Sequence, residues 1–426
     1  MSLLSLKFNN NKIYNYKLIN FNICGSKSES NRLLIIKKLF NKFINFKLFN
    51  LSNSNDTKIM QNILIKNNKK INVKDAGTVM RFLISYYSII NNNKIILTGN
   101  SRMQNRPVLE LVKCLNKLGA NIKYINKIGY PPLYIKGKNI YKNKIKINSN
   151  ISSQYITSLI LIAPKLKNGL KIILKNNNIS FSYIKMTINI FKKINFKILF
   201  NNKKKIIIIP PINKYLNIKK NIKYYIESDW SSASYFYSII TLLNNVTFKL
   251  NNFYKNSLQG DNIIYKIYKK YFGIKTKFKK KFILIYKNKN FNFPKFIKLN
   301  LKSTPDIAQT IILTCSILKI KCLIKGLKTL KIKETDRLIA LNKELKKIGI
   351  NTKITNSKLL ISKFNKIIKN NKIIINTYND HRMAMSFSIL AIKYNNIFIE
   401  NPKTVNKSYP NFWKDLKKIG FYYNYI

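Results

Sequence analysis

The sequence predicts an α/β protein assembled from copies of one small subdomain, and three observations lead there. A stripe of apolar residues at helix period ends in Lys, a short apolar step and Gly or Asn, and a strand-like run follows at once. This happens in "NKLGANIKY" at Gly119, "KKINFKILF" at Asn195, "KKYFGIKTKF" at Gly273, "KKIGINTKI" at Gly349 and "KKIGFYYNY" at Gly420. These positions lie 76, 78, 76 and 71 residues apart, too long for a solenoid unit and suited to a repeated α/β subdomain. Gly or Asn just beyond a helix is the left-handed position that closes it, so the pattern marks helix ends rather than composition. A chain of 426 residues holds about six such copies. The earliest copy is irregular, with its helix end expected near either Asn45 or Asn67.

Composition narrows the function. The chain carries 80 Lys+Arg against 14 Asp+Glu, a formal net charge of +66. Dense cationic surface attracts phosphate backbones. Here, however, the excess is lysine, spread evenly with Asn and Ile as in "NNNKIYNYKLIN" and "FKKKFILIYKNKN". That is the pattern of an A/T-rich coding bias. A dedicated nucleic-acid domain would concentrate its charge and enrich arginine. Residues that resist the bias therefore stand out. The six arginines are Arg32, Arg81, Arg102, Arg106, Arg337 and Arg382, and a planar fork for carboxylate or phosphate is the reason to keep arginine where lysine would serve as a point charge. Cys24, Cys114, Cys315 and Cys322 show no metal-ligand spacing and read as free thiols in a reducing compartment. No apolar run reaches the ~18 residues a spanning helix needs. The start "MSLLSLKF" reads as a first strand without a signal-peptide layout, so a cytoplasmic protein is expected.

The elements then follow in order. In "CGSKSESNRLL", Gly25 permits a tight turn. Ser26, Lys27 and Ser28 lie at a helix start with Arg32 on its first turns, which together make an anion site. In "DAGTVMRFL", Asp75, Gly77 and Thr78 open another helix, and Gly77 allows close approach to the backbone. In "NSRMQNRPVLELV", a helix over 107–118 begins at Pro107, and Arg106 can reach its N-terminal anion zone. In "ISSQYITSL", Ser152, Ser153 and Gln154 are uncharged donors suited to the hydroxyls and phosphate of a polyol phosphate. In "TPDIAQTI", Asp306 follows a proline at a strand–helix junction. In "KIKETDRLIAL", a helix over 335–348 is expected, with Lys333, Glu334 and Arg337 on one face. In "TYNDHRMAMSF", Asp380 is placed to cap a helix over 381–392. Half of the 14 acids lie in such motifs: Asp75, Asp229, Asp261, Asp306, Glu334, Asp336 and Asp380. Many cations, a few hydroxyls and two carboxylates outside any metal pattern suit two small, multiply anionic substrates held together.

The ordered set GSKSESNR, DAGTVMR, RMQNRP, SSQ, SSASYF, QGD, KETDR and YNDHRMAM, from about residue 24 to about residue 410, resembles the 5-enolpyruvylshikimate-3-phosphate synthase family. The resemblance implies two similar domains, each of three βαβαββ-type subdomains, with the active site in the interdomain cleft. The second domain would occupy residues 23–226, inserted into a first domain of 1–22 and 227–426. The implied reaction joins the 5-hydroxyl of shikimate 3-phosphate to C2 of phosphoenolpyruvate as a proton reaches C3, and the tetrahedral intermediate then eliminates phosphate. By motif, Asp306 would accept the hydroxyl proton, and Glu334 and Lys27 are both candidates for the proton donor. Shikimate 3-phosphate would be held by Lys27, Ser28, Arg32, Ser152, Ser153, Gln154, Ser180, Tyr183, Asp306 and Lys333. Phosphoenolpyruvate would be held by Lys27, Gly77, Arg106, Gln154, Arg337, His381, Arg382 and Lys407. No cofactor, metal, membrane or specific nucleic-acid partner is implied, and a monomer is expected.

This chain departs from the family pattern at Cys24, where proline is usual; at Glu29, an acid in the phosphate-binding turn; and at Asp75, Lys185 and Thr329. The related UDP-N-acetylglucosamine enolpyruvyl transferases would show a GAKN-type start and a catalytic cysteine on a mobile loop. This chain has GSKS, and Cys114 falls within a helical pattern. A decayed homologue and a basic nucleic-acid-binding protein are the remaining alternatives.

Overall fold

The structure is a computed structural model, and it describes residues 2–9, 18–66, 68–148, 152–175, 181–212, 220–365 and 372–426. Ser180, one of the expected ligand residues, lies outside that set. The chain divides into two compact units. The first comprises Met1–Cys24, Asn53–Asn55 and Glu227–Ile426; the second comprises Gly25–Ser52 and Asp56–Ile226.

The first unit holds three four-stranded sheets of one design: two parallel strands extended by an antiparallel pair. One runs Phe296–Asn300, Lys321–Lys325, Lys358–Phe364, Ile350–Ile354. The next runs Leu18–Phe21, Thr247–Asn251, Phe282–Lys287, Ile274–Phe278. Its first strand comes from the chain's beginning and the rest from beyond Glu227, so the second unit interrupts this copy. The third runs Ile373–Ile375, Ile397–Glu400, Leu3–Phe8, Phe421–Tyr425, with the N-terminal strand serving as the inner antiparallel member. The second unit repeats the design in Lys70–Asn72, Lys94–Thr98, Leu133–Lys136, Asn121–Tyr124. It does so again in Lys144–Asn148, Leu170–Lys175, Ile206–Ile209, Leu199–Asn201. Its third copy is reduced, among the described residues, to the parallel pair Ile44–Phe49 and Lys220–Tyr225.

The repeated helix ends are structural. Gly119, Asn195, Gly273, Gly349 and Gly420 have φ of 111°, 65°, 69°, 69° and 88°, the left-handed region in which a Cβ costs about 1–2 kcal/mol and Gly and Asn are tolerated best. For the irregular copy, Asn45 lies inside the strand Ile44–Phe49 and ends no helix. The helix Asn55–Ile65 stops close to the other candidate, while Asn67 itself lies outside the described residues.

The sequence period reappears as contacts between residues 76 apart. Gln154 Nε2 donates to Thr78 Oγ1 at 3.1 Å. Ser234 and Thr310 hydroxyls lie 3.0 Å apart, and Ser238 and Thr314 hydroxyls 2.7 Å. In each unit, helices from successive copies lie side by side as an inner layer. In the first unit Ala308–Ile317 packs between Trp230–Leu242 and His381–Phe387. In the second, Lys27–Phe40, Gly77–Ser88 and Ser153–Ile162 pack on one another. Every residue of Ala308–Ile317 is buried, so Thr310 and Thr314 pair with the Ser234 and Ser238 hydroxyls of the neighbouring helix instead of with water.

Candidate active site

In the second unit the starts of Gly77–Ser88 and Ser153–Ile162 meet through Thr78 and Gln154, and Lys27–Phe40 packs against both helices. Ser26 caps Lys27–Phe40, its hydroxyl accepting from the Glu29 amide. Lys27 Nζ lies 3.1 Å from Asp56 Oδ2, a carboxylate that is almost wholly buried. Arg32 is buried beneath them. It donates to Thr187 Oγ1 at 2.8 Å, the Ser28 carbonyl at 2.6 Å, Thr157 Oγ1 at 3.5 Å and the Tyr183 carbonyl at 3.3 Å. Among the described residues these bonds commit four of its five N–H groups. Burial pulls this guanidinium down to about 10. Ser152 caps Ser153–Ile162, accepting from the Gln154 amide at 3.2 Å.

Arg106 corrects one expectation. The helix after it begins at Leu109, capped by Val108, not at Pro107. The Arg106 guanidinium instead lies over Gly77, at the start of Gly77–Ser88: a Cβ there would come within 2.5 Å of Nη1. Arg106 is buried, and its Nε has no hydrogen-bond partner among the described residues. So Gly77 makes room for a guanidinium. Gly77→Ala is expected to leave the melting temperature unchanged, because the displaced atoms are the end of a flexible side chain. On the expectation that Arg106 holds the enolpyruvyl donor, it should lower kcat/KM for that substrate by roughly ten- to a hundredfold, the cost of moving a binding group by about 1 Å. Steady-state kinetics against both substrates check this.

Gly25 also differs from expectation. It forms a bridge rather than a tight turn, and a Cβ would sit 1.8 Å from the Asn50 carbonyl oxygen. Arg81 is buried and ties the start of its helix to the loop before Leu109–Leu118, donating to the Gly77 carbonyl at 3.2 Å and the Pro107 carbonyl at 3.0 Å. Arg102 is exposed.

The first unit holds the acidic cluster. Arg337 is 1% exposed and meets three carboxylates. Nε and Nη2 reach the two oxygens of Asp380 at 2.7 and 3.3 Å, Nη1 reaches Asp306 at 3.0 Å and Nη2 reaches Glu334 at 2.8 Å. Burial alone would push this guanidinium down, but Asp380, Glu334 and Asp306 outweigh it and push it up. Asp306, in the turn Pro305–Ile307 that opens Ala308–Ile317, also has Lys333 Nζ at 3.3 Å and Arg382 Nη2 at 3.5 Å. Lys407 Nζ stands 3.7 Å from Glu334. Asp380 caps His381–Phe387, accepting from the Arg382 amide at 2.8 Å. His381 is buried beside it, Nδ1 being 3.9 Å from an Asp380 oxygen.

Two local expectations change here. Lys333 and Glu334 precede the helix, which is Arg337–Lys347 capped by Asp336. Glu334 meets Arg337 across a turn rather than along a helix face, and Lys333 reaches Asp306 instead. The helix after Asp380 is α-helical only to Phe387 and continues as a 3-10 turn, Ser388–Ile392.

The sequence model of the EPSP synthase family, 3-phosphoshikimate 1-carboxyvinyltransferase, matches residues 64–416. A Bacteroides fragilis protein named 3-phosphoshikimate 1-carboxyvinyltransferase is 38% identical over 397 residues, 93% of this chain and 94% of its own length. The chain belongs to the EPSP synthase family. A protein of the same name from Buchnera aphidicola subsp. Cinara cedri is 38% identical over 430 aligned positions, covering 95% of each chain. A solved EPSP synthase from Acinetobacter baumannii matches the whole of both chains with a TM-score of 0.74 at 18% identity, a likeness that speaks to the fold.

Within this EPSP synthase fold, the departures find local explanations. Glu29 is buried and accepts from the Tyr224 hydroxyl at 2.8 Å, so its carboxylate is engaged by a tyrosine. Cys24 donates to the Ser408 carbonyl at 3.5 Å. Lys185 is exposed and Asp75 half-buried. Thr329 Oγ1 is buried with no hydrogen-bond partner among the described residues. Cys114 is buried in the helix Leu109–Leu118, and burial, then Glu110, push its thiol up to about 12, far from the thiolate a catalytic cysteine needs. Sequence reasoning missed Asp56 behind Lys27, and it gave no role to Asp261 or Ser231. Asp261 is buried. Burial first and Asp306 second push its carboxyl up to about 7, with Arg382 and Ser231 pulling the other way. The signal that could have found Asp56 was the scarcity of acids itself.

Proposed function

We propose that this chain transfers the enolpyruvyl group of phosphoenolpyruvate to the 5-hydroxyl of shikimate 3-phosphate and releases phosphate. The observation that carries the proposal is the cluster of Asp306 and Glu334 among Lys333, Arg337, Arg382 and Lys407 in a member of this family. The chemistry needs a base for a hydroxyl, an acid for a methylene carbon and fixed cations for developing negative charge. Asp306 takes the proton of the 5-hydroxyl as oxygen attacks C2; Glu334 or Lys27 delivers a proton to C3. Expulsion of phosphate from C2 with loss of a C3 proton then forms the enol ether.

The cations serve two partners in turn. Lys333, Arg337 and Arg382 surround Asp306, and incoming phosphate and carboxylate groups compete with it for them. A carboxylate relieved of ion pairs is the stronger base. Arg106, Arg382, Arg337, His381, Gln154, Gly77 and Lys407 would serve phosphoenolpyruvate. Lys27, Ser28, Arg32, Ser152, Ser153, Gln154, Tyr183, Asp306 and Lys333 would serve shikimate 3-phosphate, with Ser180 beyond the described residues. We further propose domains of 1–22 with 227–426 and of 23–226, a monomer acting in the cytoplasm, and no specific nucleic-acid partner. No helix among the described residues is long and apolar enough to cross a membrane.

The test is phosphate release by the purified chain. It is expected only with both substrates present, and Lys27→Met should abolish it. Release from phosphoenolpyruvate alone, or none from folded protein with both, would overturn the proposal.

A further inference from the structure

Asp261 has no part in the cation cluster described above, yet it is buried beside it. It sits inside the 3-10 turn Gly260–Ile263, past the N-cap position at Gln259. One of its oxygens, Oδ2, accepts a hydrogen bond from the Ser231 hydroxyl. That same hydroxyl oxygen accepts from Arg382 Nη2 at 3.3 Å. On its other side the Arg382 guanidinium is held by Asp306, with Nη1 donating to the backbone carbonyl at 3.0 Å and Nη2 standing 3.5 Å from Oδ2.

A serine hydroxyl has one proton and two lone pairs. With its proton given to Asp261, Ser231 turns its lone pairs toward Arg382. Without Asp261 the hydroxyl can rotate and present its proton, which no guanidinium accepts. Arg382 would then keep Asp306 and the neighbouring Tyr235 hydroxyl but lose the acceptor that Ser231 offers to Nη2.

We propose that Asp261 and Ser231 form a relay that positions the Arg382 guanidinium, so that Asp261 governs affinity for the anionic enolpyruvyl donor without touching it. Asp261 is a positioning residue in this scheme. The inference rests on the reading that Arg382 binds phosphoenolpyruvate.

The test is steady-state kinetics on the full chain at about pH 8.5, above the Asp261 titration, for Ser231→Ala, Asp261→Ala, the double variant, Asp261→Asn and Arg382→Ala. Each single alanine variant of the relay should raise the phosphoenolpyruvate KM about tenfold and leave the shikimate 3-phosphate KM within about twofold. The double variant should be no worse than Asp261→Ala, because both remove one interaction. Asp261→Asn keeps an oxygen that accepts from Ser231 and should recover most of the loss. Equal rises for both substrates, additive effects, or an Asn variant as poor as Ala would overturn the relay. Should Asp261→Ala fail to fold, Ser231→Ala, which removes only a hydroxyl, decides alone. If Arg382→Ala leaves the phosphoenolpyruvate KM unchanged, the reading of Arg382 fails; if it raises that KM while the relay variants do not, only the relay fails.

Discussion

Asp306→Asn, at the proposed general base, will lower phosphate release from the two substrates by about 10²- to 10⁴-fold, the usual contribution of such a positioned group. The side chain keeps its shape, and its amide oxygen can still accept from Arg337 or Lys333, which now lie 3.0 and 3.3 Å from Oδ1. What disappears is the ability to take a proton. The fold should survive, because Arg337 retains Asp380 and Glu334. The effect should therefore fall on kcat, with the KM values changing little. Single-turnover phosphate release and thermal melting of the same preparation check both statements. A variant within tenfold of the parent would mean that another group accepts the proton. A variant that melts far lower would mean that Asp306 chiefly neutralises its three cations.

How much of this was legible in the sequence depended on where the physics is local. A left-handed residue after a helix is a one-residue requirement, so the five repeated Gly and Asn positions could be read directly, and all five have positive φ. Scarcity was equally legible. None of the 14 acids is exposed. In a chain with 80 cationic residues, acids persist where a buried donor needs them. Glu344 accepts from Lys347, the Asn376 amide and Tyr378; Asp415 accepts from Tyr409 and Lys418. Five of the six arginines are buried too, with Arg102 the exception. Less legible were contacts decided by packing between repeats. Nothing local to "SNSND" links Asp56 to Lys27, and nothing in "QGD" points to Ser231. Helix boundaries failed for a related reason: Lys333 and Glu334 have helix-compatible spacing, but Asp336 takes the cap and leaves both in the preceding turn.

Arg337→Met should be the most damaging single change in the first unit. The guanidinium makes four hydrogen bonds to three carboxylates at 1% exposure. Removing one partner from such a buried group strands the others, a loss of about 3–5 kcal/mol. Arg337→Lys should do little better, since one ammonium cannot span the two oxygens of Asp380 and still reach Asp306 and Glu334. The damage is uncompensated charge rather than lost packing, and this can be tested by denaturant unfolding. Adding Asp380→Asn to Arg337→Met neutralises the carboxylate that Arg337 grips twice, while Asn remains a good cap for His381–Phe387. The double variant should regain part of the lost stability and none of the activity, because the cation proposed to meet the substrate anions is one that no second substitution restores. If stability does not return, Arg337 holds the first unit together by its shape. If activity returns, the site needs the balance of charges around Asp306 more than it needs the guanidinium fork.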